Sequence, residues 1–563
     1  MLTRSKCKNL IKRNNYVSVS SFRNIINEDP LVDYLELLNN KNKEIDRDSF
    51  QIISKNDTIK KNVKNNKKRK SSFDYIMKNG VNFEKNIVKE IKKIMKENKE
   101  NKKIIDLNDK IDKIDKDTRY TISKNILLSK KHTVILGAIL YDDKREIFGY
   151  PDLIVSGAFI KKYFCEENEE EEENTNNKKR KLNNNSAINT PSTDGNFILD
   201  NNIQDSVYYI IDIKSSSLDL ISGGRILSGG KNYNFYKFQT YSYSVCLKTL
   251  FEENGLTNDA NVGFLMGRKY KARINREDIY FKSFENLATI KFDEDFIKNC
   301  DDKCKEGKKW IVNDLRKNYA QFSLNPINRV ELHPNMKNTF DSQYGSIKKA
   351  IAEKNKEITL LYYCGVDKRK KCHEMGITRL DDDRLNSKIL GFENKSYESI
   401  IDDMIEFEHS DKKIKLNRKE NNYMDWQEVA DYEFFVDFET YNKENIKSAD
   451  EDIIYMIGSY FKDEFRCFII DKQYTIKQQI KMRNKLQKKN NLPELSCDET
   501  NYVLCHDEHD LITKFTDYIY SKNIKKLDKT VYKNEARLIH WSMFEKRVFE
   551  SKINKYYLSK KFK

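Results

Sequence analysis

Gly149-Tyr150-Pro151-Asp152, running into Leu153-Ile154-Val155, and Tyr208-Tyr209-Ile210-Ile211-Asp212-Ile213-Lys214, followed by three serines, decide how this chain reads. Both strings are apolar, β-branched runs of strand length. Side chains alternate along a strand, so Asp212 and Lys214 share one face and Ile213 takes the other. An Asp-x-Lys pair alone is an ordinary surface ion pair. A second acid, Asp152, placed after a proline on a neighbouring strand turns it into a candidate site. Two carboxylates on adjoining strand ends can hold a divalent cation through hard oxygens and leave positions for water and phosphate. The Ile213 carbonyl can turn toward the same cation, and Lys214 can stabilise charge developing on a phosphodiester.

Working outward, His132–Tyr141 and Ile147–Val155 read as a hairpin about an Asp142-Asp143-Lys144 turn. Residues 166–205 are low complexity, with glutamates at 169–173, then Lys178-Lys179-Arg180-Lys181 and an Asn/Ser stretch. They read as a disordered insertion, and their basic run leaves a nuclear address open. Upstream, Phe83, Ile87, Val88, Ile91, Ile94 and Met95 fall at helical spacing, and Glu84 on that helix could aim a carboxylate at the metal. Downstream lie a glycine-rich stretch at 222–230, a helix from about Tyr233 to Glu252 and a buried strand at Val262–Met266. Gln239 and Tyr243 stand four apart on one helical face, where an amide and a phenol can contact a substrate backbone. Arg225 and Lys231 in the glycine-rich region are candidate phosphate contacts. Helix, hairpin, strand, helix, strand implies an α/β domain with a mixed sheet flanked by helices.

The chain has 563 residues, enough for two to four domains. Its formal net charge of +16 suits a polyanionic partner. Lysine, asparagine and isoleucine are all abundant, as an AT-rich coding sequence produces, so the charge by itself says little. No apolar run approaches the ~18 residues of a membrane span, and the N-terminus lacks an apolar signal segment. The ten cysteines are scattered, with no Cys-x-x-Cys pair, as in an intracellular, cytoplasmic protein with reduced thiols. Residues 1–70 read as a basic, largely flexible arm with one weak helix at 30–38.

Glu84, Asp152, Asp212 with Lys214, and Gln239 with Tyr243, in this order, resemble the motif series of the RecB-like branch of the PD-(D/E)xK nucleases. That branch includes phage-type exonucleases and CRISPR-associated RecB-like nucleases, and the resemblance covers residues 71–330. It implies a restriction-endonuclease-like mixed sheet flanked by helices. It also implies a Mg²⁺- or Mn²⁺-dependent DNA exonuclease, with endonuclease action left open, on single- or double-stranded DNA. Asp152, Asp212, Ile213 and Glu84 would hold the metal, Lys214 would be the catalytic lysine, and Gln239 and Tyr243 would position the strand. A helicase partner and a homodimer are compatible with it. Many of the CRISPR-associated relatives carry an iron–sulfur cluster on one cysteine before the core and a close trio after it. Here Cys300 and Cys304 have no such trio, so a cluster is not expected. The coding bias and the insertion resemble those of giant-virus proteins, whose setting would be the viral factory.

Residues 331–430 read as a helical segment. Leu360 to Ile377 resembles a helix–hairpin–helix, with Asp367 where a second glycine would offer its N–H to phosphate. From 431 a second α/β domain begins. Val436-Asp437-Phe438-Glu439-Thr440 resembles the first motif of the RNase H-like DEDD exonucleases, and Leu538 to Glu545 a later one. That family needs a further aspartate beyond, and the sequence ends at Lys563, so residues 431–563 read as a truncated, non-catalytic RNase H-like domain. Two alternatives stand beside the nuclease reading. One is a nucleic-acid-binding scaffold with a vestigial site, the other a 3′–5′ exonuclease working from the C-terminal domain.

Overall fold

The computed structural model describes residues 13–45, 50, 52–54, 72–108, 114–165, 203–274, 277–410, 433–442, 452–470, 501–524, 537–540 and 543–555. The chain forms two compact units, Met1–Lys415 and Leu416–Lys563. Both are mixed α/β. The insertion expected at 166–205 lies outside the described residues except for its last three. Among the described residues, no helix is long and apolar enough to cross a membrane.

In the first unit the α-helices of eight residues or more are α1 (Leu31–Asn40), α2 (Ser72–Glu97), α3 (Lys116–Ser129), α4 (Gly157–Phe164), α5 (Asn234–Glu252), α6 (Glu294–Lys308), α7 (Gly345–Lys354), α8 (Val366–Glu374) and α9 (Lys395–Glu408). The strands of its two larger sheets are β1 (Val17–Ser18), β2 (Ile104–Asp106), β3 (Val134–Leu136), β4 (Leu140–Asp142), β5 (Ile147–Gly149), β6 (Leu153–Ser156), β7 (Tyr208–Ile221), β8 (Ile226–Leu227), β9 (Val262–Ile274), β10 (Glu277–Lys282) and β11 (Ala288–Lys291). They make an eight-stranded sheet in the order β10-β9-β11-β8-β7-β6-β3-β2, in which β9 also pairs with β7. A smaller sheet has the order β1-β5-β4.

The expected hairpin exists but is broken in two. Its outer half, β4 with β5, joins β1, while its inner half, β3 with β6, enters the large sheet. The break falls at Tyr150-Pro151, where proline cannot donate to a ladder. The carboxylate of Asp142 accepts the backbone N–H groups of Lys144 and Arg145 and closes the turn.

β7 is the axis of the unit. Its first six residues, Tyr208 to Ile213, are all buried, because β6 and β9 flank them and helices cover the faces. It is also longer than expected. The three serines do not end it; the strand runs on to Ile221, so Asp212 sits inside the strand and not near its end. α2 packs across β7 on the face carrying Gly80, and Phe83, Ile87, Ile91 and Met95 form its buried stripe.

The N-terminal arm needs correction. Val17, Val19, Phe22, Leu31 and Tyr34 are fully buried and belong to the same core as Ile154, Phe238 and Trp310. The segment is held by polar contacts as well. Asp33 accepts from Trp310 Nε1 at 3.0 Å, and buried Lys348 donates to Asp29 at 3.0 Å. The segment after residue 330 belongs to the same compact unit, with Leu332 and Ile351 in that core and residues from Ile358 to Ile405 forming a small core of their own. Its helix–hairpin–helix expectation fits only in part: before Gly365 the chain has a three-residue 3-10 turn, Ile358–Leu360, and α8 follows.

The second unit has β12 (Glu433–Asn442), β13 (Asp452–Phe461), β14 (Glu464–Ile470), β15 (Tyr502–Cys505) and β16 (Arg537–Ile539), with α10 (Glu508–Ile524) and α11 (Met543–Lys555). Sheet order is β15-β14-β13-β12-β16, with β12, β13 and β14 antiparallel and both outer pairs parallel. Phe434, Val436 and Phe438 face the core, while Asp437 and Glu439 alternate outward. A buried ion pair, Lys552 with Glu508 at 3.0 Å, joins α11 to α10.

Candidate active site

The antiparallel register pairs Leu153 with Ile211, and one further step brings Asp152 opposite Asp212. Asp152 turns its carboxylate onto the neighbouring backbone: Oδ2 accepts the Ile213 N–H at 2.7 Å. The two acids are thereby fixed on one sheet surface by the ladder itself. Parallel pairing with β9 sets Leu265 beside Asp212 and Gly267 beside Lys214.

Asp212 is 1% exposed. Its Oδ2 lies 2.5 Å from Lys214 Nζ yet accepts no hydrogen bond of good geometry. Lys214 Nζ donates to Gln239 Oε1 at 3.0 Å and stands 4.8 Å from the centre of the Tyr236 ring. Gln239 Nε2 then donates to the Tyr243 hydroxyl at 2.9 Å. The i, i+4 pair on α5 is thus tied to the strand lysine. Tyr243 returns the chain of contacts to its start, because its ring lies against the backbone of Gly149. A Cβ built there would come 2.1 Å from Tyr243 Cε1, so only glycine fits.

The charges are mutually dependent. Burial, then the charge of Asp212, holds Asp152 well above the ordinary carboxylate range. The same two causes raise Glu84, which reaches the group from α2. Burial works against the Lys214 ammonium, but Asp212 and then Asp152 outweigh it, and its pKa is raised. Burial, with Asp212 next, pushes the Tyr243 phenol up. Asp152, Asp212 and Glu84 thus feel one another's charge as well as that of Lys214, and a divalent cation is the kind of group that would relieve the repulsion among them.

Glu84, Asp152, Asp212, Ile213, Lys214, Gln239 and Tyr243 are therefore brought together. Arg225 and Lys231 are not. The Arg225 guanidinium donates at 3.3 Å to the Phe164 carbonyl and to Asn286, away from this group. Lys231 is exposed and sits 3.5 Å from Asp367. Two participants escape a sequence reading: Tyr236, whose only signal is its place three residues before Gln239, and Gly149, whose need to be glycine arises from a side chain 94 residues away.

Among the described residues, no three His, Cys, Asp or Glu side chains form a ready-made metal cage. The nearest positive charge to Asp212 is the Lys214 ammonium. The donor set still suits a hard cation, with carboxylate oxygens, a backbone carbonyl at 213 and one buried carboxylate oxygen lacking a hydrogen bond. Cys300 and Cys304 are buried on α6, and burial pushes their thiols up to about 12 and about 11. Compared with family models, curated proteins and solved structures, the chain matches none.

Proposed function

We propose that the first unit is a divalent-metal-dependent nuclease of the PD-(D/E)xK type, acting on DNA. The observation that carries this reading is the pairing of Asp152 and Asp212 across β6 and β7, with Lys214 on the same face as Asp212 and in contact with it. A vestigial scaffold has no need for a largely covered lysine set against a buried acid, an arrangement costly to maintain without use. The order of strands and the helix crossing β7 also support this fold type, and the 3-2-1-4-like order of β14, β13, β12 and β16 supports an RNase H-like second unit.

Asp152, Asp212, the Ile213 carbonyl and Glu84 are the groups that would hold Mg²⁺ or Mn²⁺. When bound, the cation supplies Lewis-acid stabilisation and a water of lowered pKa. The chain's own residues do the rest. Asp152 stays oriented through the Ile213 N–H. Lys214 keeps its proton and presents positive charge where the phosphorane builds up negative charge. Gln239 fixes the lysine's direction and is itself fixed by Tyr243. The reaction adds water to phosphorus and breaks one P–O ester bond.

The test is a cleavage assay with end-labelled single- and double-stranded DNA and RNA, in Mg²⁺, Mn²⁺ or EDTA. Metal-dependent cleavage of DNA supports the proposal; no cleavage of any substrate with either metal overturns it.

A further inference from the structure

Tyr362, Tyr363 and Tyr397 form a cluster on the protein surface. Ring centroids lie 4.1 Å apart for Tyr362–Tyr363 and 5.0 Å for Tyr363–Tyr397. The residues are 55%, 50% and 41% exposed. Their neighbours are the opposite: Leu361 is 1% exposed and Cys364 fully buried, both in the core formed with Cys372 and Ile401. Tyr362-Tyr363 is thus a two-residue outward step between two anchors. Tyr363 has φ +58°, the left-handed region, which a bulky aromatic seldom adopts and which stores strain.

The helices that follow and carry these rings also expose lysines. Lys370 and Lys371 on α8 and Lys395 in the first turn of α9 are exposed, and among the described residues none has an ion pair. The exposed acids nearest to them in sequence are Asp367, which meets Lys231, Glu374 and Glu393. Aromatic faces open to solvent beside unpaired ammonium groups are what a single strand requires, because its bases stack on rings and its phosphates pair with lysine. A duplex hides its base faces inside the stack and cannot use the rings.

We infer that Tyr362, Tyr363 and Tyr397, with Lys370, Lys371 and Lys395, form a platform that binds single-stranded nucleic acid by base stacking. The inference rests on the nuclease reading only in taking the bound strand to be substrate. Its position suits that role. Lys231, which meets Asp367 at the start of α8, opens the turn that leads into α5, and α5 carries Tyr236 and Gln239 to the side of Lys214.

The test is binding by the full chain in EDTA, where a metal-dependent nuclease is silent, read as fluorescence anisotropy of a labelled thymidine strand. An abasic strand of the same length and a duplex are the comparisons. The wild type should prefer the thymidine strand over the abasic one by roughly ten-fold or more. The double change Tyr362→Ala/Tyr363→Ala should remove that preference, and Tyr362→Phe/Tyr363→Phe should keep it, with unchanged melting of both variants. Tyr397→Ala gives the same reading if the double change fails to fold. A wild type indifferent to bases, or an alanine variant that keeps the preference, overturns the inference and leaves the rings to a protein partner. The two proposals separate cleanly: base-dependent binding without cleavage in Mn²⁺ sinks the nuclease reading alone, and cleavage without base dependence sinks the platform alone.

Discussion

The Asp152 carboxylate accepts the backbone N–H of Ile213 at 2.7 Å, one residue beyond the acid it faces across the sheet. A side chain from one strand thus occupies a ladder position of the next. That contact explains why the strand pairing and the site cannot be separated. The acid just before β6 is already tied to β7.

Gly149 sits where the same hairpin meets α5. Gly149→Ala should drive Tyr243 off the strand, loosen Gln239 and let Lys214 drift from Asp212. The expected loss of stability is about 2 kcal/mol, as for an overpacked core position. Cleavage should fall further than that loss explains. Denaturant melts and single-turnover rates on one preparation check this; a variant with wild-type rate would show that the tyrosine contact is only packing.

Lys214→Ala leaves Asp212 buried without its partner. In EDTA the variant should lose on the order of 3 kcal/mol of stability. Mn²⁺ should restore more of the melting temperature than it adds to the wild type, since the cation then supplies the missing charge. Cleavage should drop by about 100-fold or more because the transition state loses its positive neighbour. Equal loss of Mn²⁺ affinity, seen by calorimetry, would contradict a role separate from metal binding.

Lys348 donates to Asp29 at 3.0 Å and contacts Asp341 at 2.7 Å, with no solvent access. Lys348→Met should strand both acids and cost about 3–5 kcal/mol. Deleting residues 1–45 should abolish the fold of the first unit outright, since it removes Val17, Phe22, Leu31 and Tyr34 from the core. A cooperative melt by the deletion variant would restore the idea of a dispensable arm.

His373 lies against His333, and burial, followed by the charge of that second histidine, lowers its pKa from 6.5 to about 4. A depressed folded-state pKa means that the unfolded chain takes up the proton first. The contribution is whole above pH 6.5 and is lost as pH falls toward about 4. The melting temperature of wild type relative to His373→Phe should therefore decline over that window. Parallel curves would show that the imidazole stays neutral for another reason or titrates normally.

Much of this architecture is legible in the sequence. Tyr208 to Ile213 and Leu153 to Val155 are uninterrupted apolar runs, and period-two alternation alone puts Asp212 with Lys214. α2 declares itself through Phe83, Ile87 and Ile91. The N-terminal segment does not, because Val17, Val19, Phe22 and Ile25 sit on elements of two to four residues, too short for either period to register. Arg225 reads as an exposed cation because nothing local reveals that Phe164 and Asn286 will meet it. The serines after Lys214 resemble a strand end, yet pairing with β9 carries the strand through them. In each case a distant partner, absent from the local sequence, decides the outcome.

In the second unit, Asp437 and Glu439 are exposed on β12 and Glu545 is buried at the start of α11. The double change Asp437→Ala/Glu439→Ala should leave cleavage of every substrate unaltered. Loss of a metal-dependent activity in that variant would make the unit a second active site.

The most direct measurement is the cleavage rate of Asp212→Asn, which keeps the shape of the buried side chain and removes its charge. In Mg²⁺ or Mn²⁺, with end-labelled DNA, the account predicts that wild-type protein cleaves and that Asp212→Asn does not, while binding of the same DNA in EDTA stays within a few-fold because many lysines supply it. Undiminished metal-dependent cleavage by Asp212→Asn would contradict the account and move the chemistry away from β7.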